Sequence, residues 1–349
     1  MTKYFLKRLA LAVPTFLGIT LVCFALVQAV PGGPVEQRLA AMRGLGSGGA
    51  AQTAAAGAHG GPVSAGDAVR KQLDEYFGLD KPLPARYVKW LVGDICGLRA
   101  RSWHYPDKTA WELVRDRIPV SLWFGIPGFF LAYVVCIPLG IAKAVRRGTK
   151  FDAVSSAIVF AGYAVPAFAL GMLLRTLLCG ASDSFWDVLP LGGFESDGFA
   201  SLPLRAKIAD RFAHMALPVV CYMAGSFAML TLLVKNSLLD QLGADYVRTV
   251  LARGASMRRA VWSHALRNAL VPVATGFGGV LAVFFAGSVI VESVFDIPGM
   301  GKLSLEALEA RDYPVFLGLV SVTSVLGLAG QLLSDAAYVV VDPRVRFSK

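Results

Sequence analysis

"DYVRTVLARGASMRRAVWSHALRNALVP", residues 245–272, is a basic, helix-patterned segment broken by one glycine, and it separates two strongly apolar stretches. A connection between packed helices needs only a few residues, so this length and charge ask for a second role. Its surroundings set the frame. Of 349 residues, 55% are hydrophobic and 17% charged, and the mean hydropathy is +0.57; the apolar residues come in runs rather than at amphipathic spacing, which predicts an integral membrane protein. A helix needs about 20 apolar residues to cross the hydrocarbon core. Six stretches meet that need: Leu9 to Val30, Pro119 to Ala142, Ala153 to Cys179, Met215 to Val234, Ala269 to Val291 and Pro314 to Val341. The expected fold is an all-α membrane protein of six transmembrane helices. The first stretch follows Lys3, Lys7 and Arg8 as a secretory signal would, but it exceeds a typical signal core and lacks a small-x-small cleavage site, which favours a retained anchor.

Basic residues orient the spans. With the amino terminus inside, the inner loops hold sixteen Lys and Arg against four acids, Asp152, Asp240, Asp245 and Asp342. The two later outer loops are net acidic, carrying Asp183, Asp187, Glu195, Asp197 and Asp210, then Glu292, Asp296, Glu306, Glu309 and Asp312. Both termini are therefore expected in the cytoplasm. The net charge of +10 is a topogenic bias and no nucleic-acid footprint, since no basic face interleaved with aromatics stands apart from the span flanks. Five cysteines, mostly within spans, read as small apolar packers and not as a disulfide framework.

The chain divides into an amino-terminal span (1–30), an outer loop (31–118), a core of five spans (119–341) containing the inner loop 235–268, and a tail (342–349). Within the outer loop, residues 43–66 are nearly all Gly, Ala and small polar residues and read as a disordered insert. Helical spacing returns at Val69, Leu73, Tyr76 and Phe77, and a short helix follows at Tyr87, Trp90 and Leu91. Phe185 and Trp186 suit interfacial anchors. Gly, Ala and Ser enrich the later spans, as close intrachain packing or a subunit seam would require. Arg175, Glu292 and Asp335 either snorkel and pair between helices or line a polar path. Pro127, Pro138, Pro166 and Pro218 lie within spans, as packing bends or gating kinks.

In the opening segment, Tyr246 to Arg253 predicts a short helix, Gly254 a break requiring positive φ, and Ser256 the N-cap of a second helix. There Met257, Ala260, Val261 and His264 share an apolar face while Arg258, Arg259 and Trp262 point elsewhere. Such a unit is a lever fit to dock on a soluble partner, or an interfacial helix drawn to anionic lipid.

The segment resembles the cytoplasmic loop of ABC-importer membrane subunits, E-A-A-x-x-x-G and a second helix ending near Pro. Arg248, Thr249 and Val250 stand where E-A-A is general, a departure shared by the peptide-transporter branch; "RTVLARG" matches that branch imperfectly and "HALRNALVP" completely. "KRLALAVPTFLGITLVCFALVQAVPGGP", "GLDKPLPARYVKWL", "VESVFDIPGMGKLSLEALEARDYPV" and "VVDPRVRF" resemble it in the family's order, and "PGGPVEQ" with "AKAVRRGTKFD" is closest to the oligopeptide and microcin-C-like subset. The resemblance implies the type I ABC importer permease fold and import of peptides. It also implies two permease subunits, the second a homologue, with a periplasmic substrate-binding protein outside and a separate ATPase holding ATP and Mg. Coupling to that ATPase falls to Arg248, Thr249, Ala252, Arg253, Gly254, Ala255, Ser256, Arg258 and Arg259. Binding-protein docking falls to Tyr87, Trp90, Asp296, Pro298, Gly299 and Gly301.

No phosphate loop occurs: "GMGKL" has Asp296 where the first Gly is needed and Leu303 where Ser or Thr is needed. No cofactor or metal site is expected, because His59, His104, His214 and His264 are scattered and no Cys/His ligand spacing appears. Rival readings are a nickel or other small-solute permease of the same branch, an ion-coupled secondary transporter, a membrane enzyme and a scaffold. The secondary transporter predicts buried mid-span acids in repeated halves, and the enzyme a catalytic constellation, neither of which the sequence offers.

Overall fold

The computed structural model describes residues 2–30, 35, 71–72, 75, 80–179, 186, 188–275 and 287–341. The insert 43–66, the helical spacing at Val69 to Phe77, Phe185, the middle of the fifth apolar stretch and the tail 342–349 lie outside them. Two compact units emerge: Met1–Ala12, Arg115–Leu305 and Thr323–Lys349 form the first, Val13–Val114 and Glu306–Val322 the second.

Among the described residues, four helices are long and apolar enough to cross a membrane: α1 (Thr2–Ala29) by its segment from Leu6, α3 (Ala110–Val145), α6 (Leu204–Leu242) and α13 (Tyr313–Val341) by its segment to Ala336. Each contains one of the predicted stretches or nearly coincides with it. The third stretch is not one straight span. It is α4 (Lys150–Ala164) and α5 (Ala167–Leu178), bent by 95°. Pro166 is the reason: its ring disfavours helical backbone at the preceding residue, and Val165 accordingly has ψ 118°. Pro127 and Pro138 stay inside α3 and Pro218 inside α6, so these three do not end their helices.

In the first unit α3 and α6 approach closely because glycines remove side chains between them. A Cβ on Gly140 would lie 2.7 Å from Cβ of Val234 and 2.9 Å from the Thr231 carbonyl oxygen, and one on Gly128 would meet Cβ of Tyr222 at 2.8 Å. Cys136 Sγ donates to the Phe227 carbonyl at 3.5 Å between those levels. Val120, Phe124, Leu217, Val219, Cys221 and Phe295 form one buried cluster. Ile141, Val234, Leu238, Val247, Val261 and Ala265 belong to another. Leu9, Leu11, Val13, Leu21, Val22 and Leu26 of α1 are exposed, as lipid-facing or subunit-facing positions are.

The ionisable residues near the spans pair as the interhelical reading requires. Arg175 Nη1 donates to the Val294 carbonyl at 2.7 Å, and Arg8 Nε sits 2.9 Å from Asp335 Oδ2. Between α5 and α6, Trp186 is 60% exposed and Gly193 N–H donates to the Phe295 carbonyl at 2.8 Å. All five cysteines are free thiols, and burial pushes the Cys96 thiol up, which suits packing and not reactivity.

In the second unit α2 (Leu83–Val88) runs into a π turn (Lys89–Gly93) that lies against α1. Phe24, Val27, Trp90, Tyr313 and Leu317 are its buried core. Asp312, 2% exposed, accepts from Ser102 Oγ, from Trp103 N–H at 3.1 Å and from His104 N–H at 3.2 Å, tying the loop after the π turn to the start of α13.

Candidate functional site

The segment 245–272 is an arm of short helices. It comprises α7 (Asp245–Ala252), α8 (Met257–Ala260), a π turn (Val261–Ala265), α9 (Leu266–Ala269) and α10 (Val271–Thr275). Ala255 and Ser256 follow the glycine break, and Ser256 Oγ caps α8 by accepting from Arg259 N–H at 3.4 Å. Gly254 has φ +85°, with nothing within 4 Å of the position a Cβ would take. The glycine answers a backbone demand there and not a steric one.

The buried face differs from the expected one. Ala260 and Val261 are buried as read, but Met257 is 48% exposed and His264 is exposed, while Ala265 and Ala269 are fully buried in their stead. For His264, Ala265 and Ala269 the π turn supplies the reason: its extra residue per turn shifts the side chains around the axis from that point on. Ala260, Val261, Ala265 and Ala269 then pack with Val247 against Val234 and Leu238 of α6. A polar clamp completes the docking. Tyr246 OH donates to Gln241 Oε1 at 2.7 Å and accepts from Asn268 Nδ2 at 3.2 Å, joining the end of α6, α7 and α9 at one hydroxyl. The arm is thus fixed to the membrane core along one side.

The other side is open. Arg248, Thr249, Ala252, Arg253, Gly254, Ser256, Arg258 and Arg259 are exposed and Ala255 is half-buried. Asp245 and Arg248 pair at 3.7 Å on that surface, where an exposed pair contributes little. Trp262, 60% exposed, borders an open depression of about 510 Å³ together with Ser256, Arg258 and Arg259. The sequence already sets Trp262 with Arg258 and Arg259 away from the apolar face, and the structure keeps the three together.

The six outer residues differ in exposure and in what they touch. Trp90 is 6% exposed and its ring stacks on Tyr87 at 5.8 Å. Tyr87 packs on Phe24 at 5.4 Å and its hydroxyl hydrogen-bonds with Thr20 Oγ1 at 3.0 Å. These two hold α2 to α1, and Trp90 also borders a cavity of about 610 Å³ beside Phe24, Arg86 and Trp103. Asp296 is exposed and ion-paired with Lys302, and Pro298 is half-buried. Gly299 and Gly301 are buried, and a Cβ on either would land 2.5 Å from Glu292 or from the Val289 nitrogen respectively.

That collision leads to a node at Glu292, singled out in the sequence as a charge near a span but with no partner named there. Glu292, in α11 (Val289–Val294), is fully buried. Its Oε1 accepts from Ser121 Oγ at 2.9 Å, Tyr222 OH at 3.3 Å and Ser288 N–H at 3.4 Å, and its Oε2 from Lys302 N–H at 2.9 Å. Ser121 Oγ also accepts from Met300 N–H at 2.8 Å. The carboxyl and the serine thus serve two of the orphan amides that open α12 (Met300–Glu309). The Gly-rich "PGMG" turn is what lets backbone approach a buried acid this closely.

A second node lies at the far end of α3 and α6. Lys143, fully buried, Asp152 and Lys235 share one carboxylate: Lys235 Nζ is 2.7 Å from Asp152 Oδ1 and Lys143 Nζ is 3.4 Å from the same oxygen. In the sequence all three are charges flanking spans, which fixes a side of the membrane but says nothing of pairing.

The described residues thus form a multi-span helical protein whose arm of short helices is fixed to α6 on one side and left open on the other. The family model for the inner membrane component of binding-protein-dependent transport systems matches residues 136–347. The chain belongs to that family, and it is a multi-pass inner-membrane protein. Over its whole length it is 38% identical to the peptidoglycan transport system permease protein YejB of Agrobacterium fabrum, covering 99% of that protein. It is 37% identical to the inner membrane ABC transporter permease protein YejB of Escherichia coli O157:H7, with 99% of each chain covered. It is 33% identical to the dipeptide transport system permease protein DppB of Escherichia coli strain K12, with both chains fully covered.

Proposed function

We propose that this chain is one of two membrane-spanning subunits of an ATP-driven importer of peptides, with six crossings and both termini in the cytoplasm. The single observation that carries the reading is the arm at 245–269. Its apolar side and the Gln241–Tyr246–Asn268 clamp fix it to α6, and its opposite side presents Arg248, Thr249, Ala252, Arg253, Gly254, Ala255, Ser256, Arg258 and Arg259. A soluble ATPase, holding ATP and Mg, grips that open side; closure of the ATPase pair then moves the arm and, through it, the core helices. A homologous permease completes the pathway. A periplasmic binding protein delivers cargo to the outer surface; of the six outer residues, Asp296 and Pro298 are the accessible candidates, Gly299 and Gly301 shape the turn that carries them, and Tyr87 and Trp90 belong to the second unit. Relatives named for peptidoglycan and dipeptide transport support a cargo with peptide bonds.

The test is recovery of the tagged chain from membranes in mild detergent. The expected result is an ATPase and a second permease in the complex, and ATP hydrolysis that binding protein loaded with peptide stimulates. If crosslinkers placed at Arg253 and Arg258 reach only lipid, the arm is an interfacial helix and the importer reading fails.

A further inference from the structure

We infer that Asp152 is a positioning residue for transport, which ties α6, where the coupling arm is seated, to α3 and to the bent α4–α5 pair, so that motion of the arm moves all three. The inference rests on the importer reading above and adds the route by which load leaves the arm.

The geometry is that of a shared counter-ion. Lys235 of α6 donates to both carboxylate oxygens of Asp152, at 2.7 and 2.9 Å. Lys143, in the last turn of α3, donates to Ser156 Oγ at 2.7 Å, to Ser155 Oγ at 2.9 Å and to the Asp152 carbonyl at 3.3 Å. Asp152 itself is held in place. Thr149 caps α4, its Oγ1 accepting from Asp152 N–H at 3.5 Å, and the Asp152 carboxylate accepts from Gly148 N–H at 3.4 Å, an arrangement close to a capping box. The side chains of Asp152 and Lys235 are 11% and 15% exposed, and that of Lys143 is wholly buried. One carboxylate therefore answers two ammonium groups where water screens little. Without it the two lysines repel across the joint of α3 and α6.

The place matters as much as the strength. Lys235 lies within one turn of Val234 and Leu238, two of the α6 residues that share a buried cluster with the arm's Val247, Ala260, Val261 and Ala265. The stretch of α6 that the arm pushes is the stretch that Asp152 grips. Asp152 is also the third residue of α4, and α4 leads through the 95° bend into α5. Displacement at the arm thus reaches the bent pair through an ion contact that a neutral side chain cannot replace.

The experiment uses the complete transporter, with its ATPase, second permease and binding protein, in liposomes, and reads peptide taken up per ATP hydrolysed. For Asp152→Asn at equal abundance, that ratio is expected to fall by roughly tenfold or more while ATP hydrolysis persists. Lys235→Met is the second variant, in case the first does not assemble: it leaves Lys143 and Asp152 paired and removes only the ion contact of α6, so it too should uncouple, and Lys235→Arg should restore the ratio. Coupling within twofold of wild type in Lys235→Met overturns the inference, as does a parallel fall of uptake and hydrolysis that only tracks assembly. A wild-type complex with no ATP-driven uptake overturns the importer reading itself, which separates the two failures.

Discussion

Gly254 holds φ at +85° with open space around it, so a substitution there is judged by backbone preference alone. A β-branched residue in that region costs about 1–3 kcal/mol, whereas asparagine tolerates it. Gly254→Val is therefore expected to lower uptake per ATP at normal membrane abundance, and Gly254→Asn to leave it nearly intact. Equal behaviour of the two variants in the same liposome assay would show that the turn's conformation does not matter. Glu292 illustrates the opposite case, a residue whose importance lies in what surrounds it. Four donors converge on its carboxyl; Gly287 and Gly299 leave the room for it that any Cβ would fill, and Gly301 lets its backbone approach Ser288 and Val289. Its neighbour in the motif, Asp312, plays the same part in the second unit, where three donors close a loop onto the start of α13. Two acids that count toward an outer-face charge when read in sequence are in fact interior acceptors for backbone and hydroxyl groups.

At the scale of elements, α3 and α6 are joined at several levels, by Ser121 and Tyr222 through Glu292, by Gly128 and Gly140, and by Lys143 and Lys235 through Asp152. Gly140→Val tests the middle of that seam. Its Cβ would stand 2.7 Å from Val234 Cβ and 2.9 Å from a backbone carbonyl, so one helix must move. A loss of about 1–3 kcal/mol is expected, read as a lower midpoint in detergent unfolding; an unchanged midpoint would mean the helices separate at no cost. Most of these elements were legible beforehand. Twenty-residue apolar runs located α1, α3, α6 and α13, and the Ser256 cap and Gly254 break were read correctly, because each is a local property. What escaped was non-local or directional. Hydropathy averages over Pro166 without registering a change of direction, so a 95° bend read as one span. The π turn at Val261–Ala265 has no composition of its own, so His264 was placed inside and Ala265 overlooked. Asp152 and Lys235 are 83 residues apart, and nothing in either neighbourhood names the other. The run "TKFD" did carry a capping signal, which marks where α4 begins but not which cations its aspartate meets.

For the whole molecule, the sidedness of the arm is the premise on which the importer reading rests. Ser256 on the arm and Asp296 in the turn after α11 are both exposed, and the proposed topology puts them on opposite faces. They flank the fifth apolar stretch, so a single crossing must separate them if six spans are right. In a chain whose five cysteines are replaced, a single cysteine at position 296 should react with a membrane-impermeant maleimide added to intact spheroplasts, and one at position 256 only after the membrane is opened. Replacing the native thiols should be mild where they act as packers: Cys23 and Cys96 are half-buried, and Cys136, Cys179 and Cys221 are buried and accept a small residue of similar volume. Labelling of position 256 from outside would place the arm beyond reach of a cytoplasmic ATPase. Labelling of both positions from the same side would leave an even number of crossings between them. Reaction at 296 alone is the outcome that lets force applied in the cytoplasm arrive, through α6 and its two buried polar nodes, at a turn facing the periplasm.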